Sequence, residues 1–262
     1  MKNMDVIILC GGKGTRLSEE TSLRPKPMVE IGGKPILWHI MKYYSSYGFK
    51  RFILALGYKG NYIKEYFYNL RISNHDFTLR LDSHSTPQYH DKIANDDFEI
   101  TFVDTGLNTL KGGRIKRVAK YVNSNQFHLT YGDGLSNVNL TKLVEFHESH
   151  NKIGTVTAVR PPSRFGNIKI ENDKVIDFEE KSQMNSGYIN GGFFIFNRKV
   201  LDYLDVGEDC DFEFGPLEKI AKEKQLMAYK HNDFWQCMDN IRERDYLRKL
   251  EETNTAPWIN WR

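Results

Sequence analysis

Residues 6–9, Val-Ile-Ile-Leu, form an apolar, β-branched run that stops at Gly11-Gly12-Lys13-Gly14-Thr15-Arg16. Such a run reads as a fully buried strand, and the glycines turn it sharply at its carboxyl end. Three glycines within four positions remove the Cβ atoms that hold a ligand off the backbone. Exposed N–H groups in such a turn make an anion-binding concavity, to which Lys13 and Arg16 add charge. Shortly after stands Arg24-Pro25-Lys26-Pro27, whose prolines restrict the backbone on both sides of Lys26 and limit where its ammonium points. Strand, glycine turn and fixed lysine together suggest a polyphosphate site. By spacing alone the turn departs from the P-loop and from Gly-x-Gly-x-x-Gly, and it fits an ordinary tight turn as well as a nucleotide cradle.

The continuation reads as alternating strands and helices. A helix is expected over 36–47, stopped by Gly48, then a strand over 52–56 and a helix over 63–70. A strand over 99–104 leads into a glycine-containing loop, 105–114, that opens a helix at 115–122. This alternation predicts an α/β fold with a mostly parallel sheet. The irregular segment 71–97 carries a strand near 77–81, and His75, His84 and His90 read as solvated loop histidines. His39, inside an apolar helix, reads as a satisfied core histidine.

The run 127–131 delivers Asp133 between Gly132 and Gly134 at a strand's carboxyl edge, where open α/β sheets bind ligands. A carboxylate there suits a hydrated Mg²⁺ on phosphates, while Asp-Gly is also a common turn. A helix is expected over 139–150. A strand is expected over 155–159, and after about residue 161 the pattern shifts to a hairpin at 165–179 turned at 171–174, followed by a strongly apolar strand near 193–197. Helices over 200–204 and 214–224, a short strand over 226–229 and a helix over 241–250 complete the chain. Asp239 precedes the last helix and is a good N-cap candidate. The aromatic tail 256–262 reads as a packing element.

Composition narrows the class. A chain of 262 residues suits one large α/β domain or two small ones. A net charge of +3, without a basic stripe interleaved with aromatics, argues against a nucleic-acid partner. No apolar run reaches bilayer length, so no membrane partner is expected, and residues 1–5 show no signal-peptide pattern. Cys10, Cys210 and Cys237 lie far apart, which fits a reducing, cytoplasmic setting rather than a disulfide framework.

Gly-Gly-x-Gly-Thr-Arg-Leu at 11–17, followed by Lys26-Pro27, resembles the signature of the sugar-phosphate nucleotidyltransferases. The stretch 28–41 resembles the cytidylyl branch, which acts on CTP and glucose 1-phosphate. The resemblance runs essentially end to end. It implies a Rossmann-like nucleotidyltransferase fold, with a mixed, mostly parallel central sheet flanked by helices and a smaller β-rich sugar-binding portion. It implies a single domain over 1–262, with a nucleotide-binding half at about 1–161 and a sugar-binding half at about 162–262.

By the same resemblance, Leu9, Cys10, Gly11, Gly12, Lys13, Gly14, Thr15, Arg16, Lys26, Thr109, Arg114 and Gly132 contact the nucleotide. Glu180, Lys181, Asn190 and Gly191 hold the sugar phosphate. Asp133 and Asp239 hold Mg²⁺, and Lys26, Arg16 and Asp133 serve the chemistry. Asp239 can also be a helix cap, and both roles can coexist. Lys111, Cys237 and Asn240 depart from the residues expected at their positions. The implied reaction makes CDP-glucose and pyrophosphate for surface-polysaccharide synthesis, and the resemblance also implies a homo-oligomer. Alternatives are the same chemistry with another nucleotide or sugar 1-phosphate, or a non-catalytic nucleotide-sugar binding module.

Overall fold

The computed structural model describes residues 4–81, 86–90, 96–161, 167–171, 173–179 and 187–261. Its centre is the first strand, β1 (Asp5–Cys10), which pairs in parallel with β2 (Arg51–Leu56) on one side and β4 (Gln126–Tyr131) on the other. β3 (Glu99–Asp104) adds in parallel to β2. Beyond β4 come β7 (Phe194–Asn197) and then β5 (Gly154–Val159), each running antiparallel to its neighbour. β6 (Ile189–Asn190) pairs antiparallel with the far end of β5, and β8 (Leu226–His231) pairs with β5 in parallel. The result is an eight-stranded mixed sheet in the order β6-β5-β7-β4-β1-β2-β3, with β8 on β5.

β1 is buried on both faces, as its unbroken apolar run requires. Val6, Ile8 and Cys10 join one core layer with Leu37, Ile40 and Tyr44. Ile7 joins the other with Ile115, Val118 and Phe127. Side chains alternate across a strand, so neighbours on β1 serve opposite layers. His128, in the middle of β4, is packed edge-on against Phe49 and Tyr44. Burial pushes its pKa down to about 3, and that of the neighbouring His147 to about 4. Both are therefore neutral core rings at pH 7.

Helix α1 (Ile36–Ser46) follows the Lys26 segment, and α2 (Gly60–Ser73) connects β2 toward β3. His39 is buried on α1. Its Nε2 meets the Ile31 carbonyl at 2.8 Å, and its Nδ1 accepts from Trp258 Nε1. The aromatic tail thus packs on the body of the protein, with Trp258 fully buried.

Several expectations are revised. The strand near 77–81 shortens to Phe77–Thr78, paired with Gln88–Tyr89. His75 is buried edge-on against Tyr89 rather than solvated, while His90 is exposed and His84 lies outside the described residues. The helix expected from 115 starts earlier, as α3 (Lys111–Val118). Gly112 and Gly113 sit in its first turn because the 207–211 backbone presses on them. A Cβ on Gly113 would lie 2.4 Å from the Gly207 carbonyl oxygen, and one on Gly112 2.6 Å from Cys210 Sγ. The helix α4 (Leu140–His150) is capped by Asn139. The segment expected as one helix over 214–224 is broken at Gly215 and Pro216, and only α5 (Glu218–Lys222) is regular. The last helix, α6, spans Ile241–Glu252. Among the described residues no helix is long and apolar enough to cross a membrane.

Candidate active site

The carboxyl ends of β4, β1, β2 and β3 lie side by side, and the loops leaving them build one site. Gly14 has φ +63°, a left-handed conformation that favours glycine. A Cβ there would also meet Thr21 Cγ2 at 2.8 Å and Lys26 Cβ at 3.1 Å. The glycine loop is therefore folded down onto the Lys26 segment. Thr21 Oγ1 donates to the Gly14 and Leu17 carbonyls and closes that contact.

Pro25 is extended (ψ 149°), and a tight helical turn, Lys26–Met28, follows at once. This geometry buries Lys26 and carries its ammonium to two carboxylates. Nζ lies 2.6 Å from Asp133 Oδ2 and makes a short contact with Asp239 Oδ1. Burial alone would lower the pKa of Lys26. The charges and hydrogen bonds of Asp133 and Asp239 outweigh it and hold the ammonium above its usual range.

The two aspartates are 106 positions apart in sequence, yet their convergence has a simple cause. Gly134–Ser136 pairs antiparallel with Trp235–Cys237, with Cys237 opposite Gly134. Asp133 immediately precedes one strand and Asp239 closely follows the other, so they emerge at the same end of the ribbon. Met238 N donates to the Asp133 carbonyl at 2.8 Å and locks the register. Asp239 also receives Arg16 NH1 on Oδ2 at 2.8 Å.

Asp239 is not the cap of α6. Asn240 is: its Oδ1 accepts from Glu243 N at 3.0 Å, and the Glu243 carboxylate reaches back to the Asp239 amide at 2.6 Å. This is a variant of the capping box in which the carboxylate closes on the amide one residue before the cap. It frees the Asp239 side chain for the site and fixes its backbone. The Asn240-x-x-Glu243 spacing carried that signal in the sequence. With Cys237, Asp239 and Glu243 form a cluster able to hold a metal ion.

Arg114, for which the resemblance implies a nucleotide contact, braces the loops of the site. It is buried, and its guanidinium spans the loops after three strands. NH2 donates to the Gly11 and Leu107 carbonyls, both at 3.2 Å. NH1 donates to the Leu56 carbonyl at 3.0 Å, and to Thr105 Oγ1 and the Gly106 carbonyl, both at 2.7 Å. A Cβ on Gly11 or Gly57 would fall 2.1 or 2.4 Å from NH1. Gly11 therefore makes room for Arg114. Of the loop glycines, Gly12 alone meets nothing within 4 Å.

Gly12, Lys13, Thr15 and Arg16 are exposed on the open side of the loop, while Leu9 is half-buried and Cys10 buried. Lys13 Nζ reaches Asn108 Oδ1 at 3.4 Å. Thr109 is buried and accepts from Arg117 NH1 at 2.8 Å, so it too braces the loop. Gly132 packs under the Leu9 carbonyl and Pro27, where a Cβ would approach to 2.9 and 3.1 Å. Asn190 and Gly191 stand across β4 from the glycine loop: Asn190 Nδ2 donates to Tyr131 Oη at 3.0 Å, and Gly191 N to the Thr157 carbonyl. Glu180 and Lys181 lie outside the described residues.

The donor set fits a hard divalent cation. Two carboxylates converge, and carboxylate oxygen is what Mg²⁺ prefers. With Lys26 and Arg16 alongside, the site is arranged for a polyphosphate.

A sequence model of the nucleotidyl transferase family matches residues 5–239. The chain is 46% identical to a glucose-1-phosphate cytidylyltransferase of Salmonella typhi, over 98% of this chain and all of that one. It is 43% identical to a probable glucose-1-phosphate cytidylyltransferase of Bacillus subtilis, with the same coverage. Among solved structures, HddC from Yersinia pseudotuberculosis, complexed with GMP-PN, superposes with a TM-score of 0.65 at 26% identity. That match covers 94% of this chain and 98% of the other. This chain belongs to the nucleotidyl transferase family.

Proposed function

We propose that the protein transfers a cytidylyl group from CTP to α-D-glucose 1-phosphate, giving CDP-glucose and pyrophosphate. The observation that carries this reading is the convergence of Asp133 and Asp239 on Lys26 beside the glycine loop. The near-full-length identity to glucose-1-phosphate cytidylyltransferases supports the choice of substrates.

A phosphate oxygen of glucose 1-phosphate attacks the α-phosphorus of CTP in line. A new P–O bond forms, the bond from the α-phosphorus to the bridging oxygen breaks, and pyrophosphate leaves with that electron pair. The attacking phosphate is already ionised, so no general base is needed. Positioning and charge stabilisation carry such transfers. Lys26 stabilises charge at the reacting phosphates. Arg16, Lys13, Thr15 and the open backbone at Gly12 cradle the triphosphate. Asp133 and Asp239 would hold Mg²⁺, which when bound neutralises charge on the CTP phosphates. Glu180, Lys181, Asn190 and Gly191 take the sugar phosphate. In this reading the half before about residue 161 serves the nucleotide and the half after it the sugar. The enzyme acts in the cytoplasm as a homo-oligomer.

The test is pyrophosphate release with Mg²⁺, glucose 1-phosphate and each NTP supplied separately. CTP should support turnover well above UTP, dTTP, GTP and ATP. Release from UTP or dTTP but not CTP contradicts the cytidylyl assignment. No release with any NTP across a panel of sugar 1-phosphates contradicts the enzymatic reading.

A further inference from the structure

Tyr131 ends β4, next to Gly132 and Asp133, and its hydroxyl sits in the middle of a directed chain. It donates to Glu213 Oε1 at 2.7 Å, and Lys111 Nζ donates to that same oxygen at 2.5 Å. Asn190 Nδ2 donates to the Tyr131 hydroxyl at 3.0 Å, and Asn190 Oδ1 accepts from Gly192 N at 2.9 Å. The ring is fixed as well as the hydroxyl. The Lys111 ammonium lies 5.4 Å from its centroid. Gly192, at φ +74°, lies against it so closely that a Cβ would meet Cδ2 at 3.1 Å. Glu213 in turn is set by Asp211, whose Oδ1 accepts from the amides of Glu213 and Phe214.

The polarity of this chain follows from its anionic end. An ionised carboxylate accepts only, so the Tyr131 O–H must point at Glu213. The hydroxyl can then only accept from Asn190, so the amide must turn its nitrogen toward Tyr131. With Oδ1 already occupied by Gly192 N, the exposed Asn190 has one N–H left over. On residue type alone Asn190 could donate or accept. Here it is set as a donor. A purely structural clasp would satisfy both carboxylate oxygens, yet Glu213 Oε2 is buried and meets no hydrogen-bond partner among the described residues. Such incompletely satisfied groups call for an explanation beyond packing.

We infer that Glu213 and Tyr131 are positioning residues that orient the Asn190 amide as a hydrogen-bond donor to the sugar-phosphate portion of the ligand. This rests on the function proposed above, in which Asn190 serves the sugar side. The relay joins the α3 and 211–217 segments to the Asn-Gly-Gly turn without touching the Lys26 cluster.

The test is equilibrium titration of CDP-glucose and of CDP into wild type, Tyr131→Phe, Glu213→Gln and the double variant, with melting curves to confirm folding. Each single substitution removes one of the two bonds that set the amide, leaving only Gly192 N on Oδ1: Phe removes the acceptor, and Gln can donate to the phenol and reverse it. Loss of one oriented hydrogen bond corresponds to an affinity drop of about two- to tenfold. CDP-glucose affinity should fall by that factor while CDP binding stays unchanged. The double variant should be no worse than the poorer single one, because both act through one chain. In steady state the KM for glucose 1-phosphate should rise and that for CTP should not. Equal losses for CDP and CDP-glucose, no loss for either, or multiplying effects in the double variant would overturn the relay. Wild-type protein that binds neither ligand contradicts the proposed function, and this inference with it. Normal wild-type binding without the selective loss contradicts the relay alone.

Discussion

Lys26→Ala lowers turnover by about 10²–10³-fold, the usual cost of removing one charge-stabilising donor from the reacting centre. The protein stays folded. The Lys26 side chain is largely buried, but Asp133 and Asp239 keep some solvent contact, and Arg16 remains on Asp239. The carboxylates it leaves behind therefore stay partly hydrated and partly paired. The loss falls on kcat more than on KM, because the ammonium acts on charge that develops as pyrophosphate departs. Steady-state kinetics on the purified variant, with a melting curve beside it, checks both halves. Turnover near the wild-type value removes Lys26 from the mechanism.

Arg114→Ala has the largest expected effect on stability. The guanidinium satisfies four backbone carbonyls and one hydroxyl, and it does so from a buried position. Truncation removes all of those bonds, leaving the Gly11 carbonyl with Tyr58 N and the Leu56 carbonyl with Thr105, and opens space beneath Gly11 and Gly57. Losing a buried hydrogen-bond network of this kind, together with the space it opens, costs about 3 kcal/mol. Arg114→Lys should recover little, since a point-like ammonium cannot fork among carbonyls on three loops. Urea unfolding of the two variants measures this. Because Arg114 holds the Gly11 carbonyl, the same variants should show a raised KM for CTP wherever enough folded protein remains. A stability change below about 1 kcal/mol would mean that the loops hold their places without the arginine.

These two residues mark the limits of reading the chain as a string. Lys26 was legible because the cause is local: two prolines and a nearby glycine turn restrict it within a few positions. The buried strands were legible for the same reason, and β1, β2, β3 and β4 fall where their apolar runs predict. Asp133 was legible from its place at a strand's carboxyl edge. The bracing role of Arg114 is not legible in the sequence. Nothing local reveals that carbonyls from residues 11, 56, 106 and 107 meet at one point, since that depends on strand order. The space beside Gly11 is likewise filled by Arg114, from a segment about 100 positions away in the sequence.

The same distinction explains the smaller revisions. The N-cap of α6 moved from Asp239 to Asn240 because two adjacent residues both cap well, and the position of Glu243 decides between them. The α3 glycines looked like a loop because glycine disfavours helix interiors. Here the close approach of the 207–211 backbone outweighs that propensity. The pairing of Tyr131 with Glu213 has no trace in the sequence. A strand-end tyrosine and a glutamate before Phe-Gly-Pro carry no motif, and their pairing exists only in three dimensions.

The central claim is that Asp133 and Asp239 act as one cation site beside Lys26. The most direct measurement is Mn²⁺ binding in the presence of CTP, followed by electron paramagnetic resonance of free Mn²⁺, for wild type, Asp133→Asn and Asp239→Asn. The account predicts one site in wild type, and a loss of at least about tenfold in Mn²⁺ affinity for each variant, since each removes a charged oxygen ligand. Either variant holding Mn²⁺ as tightly as wild type would contradict it.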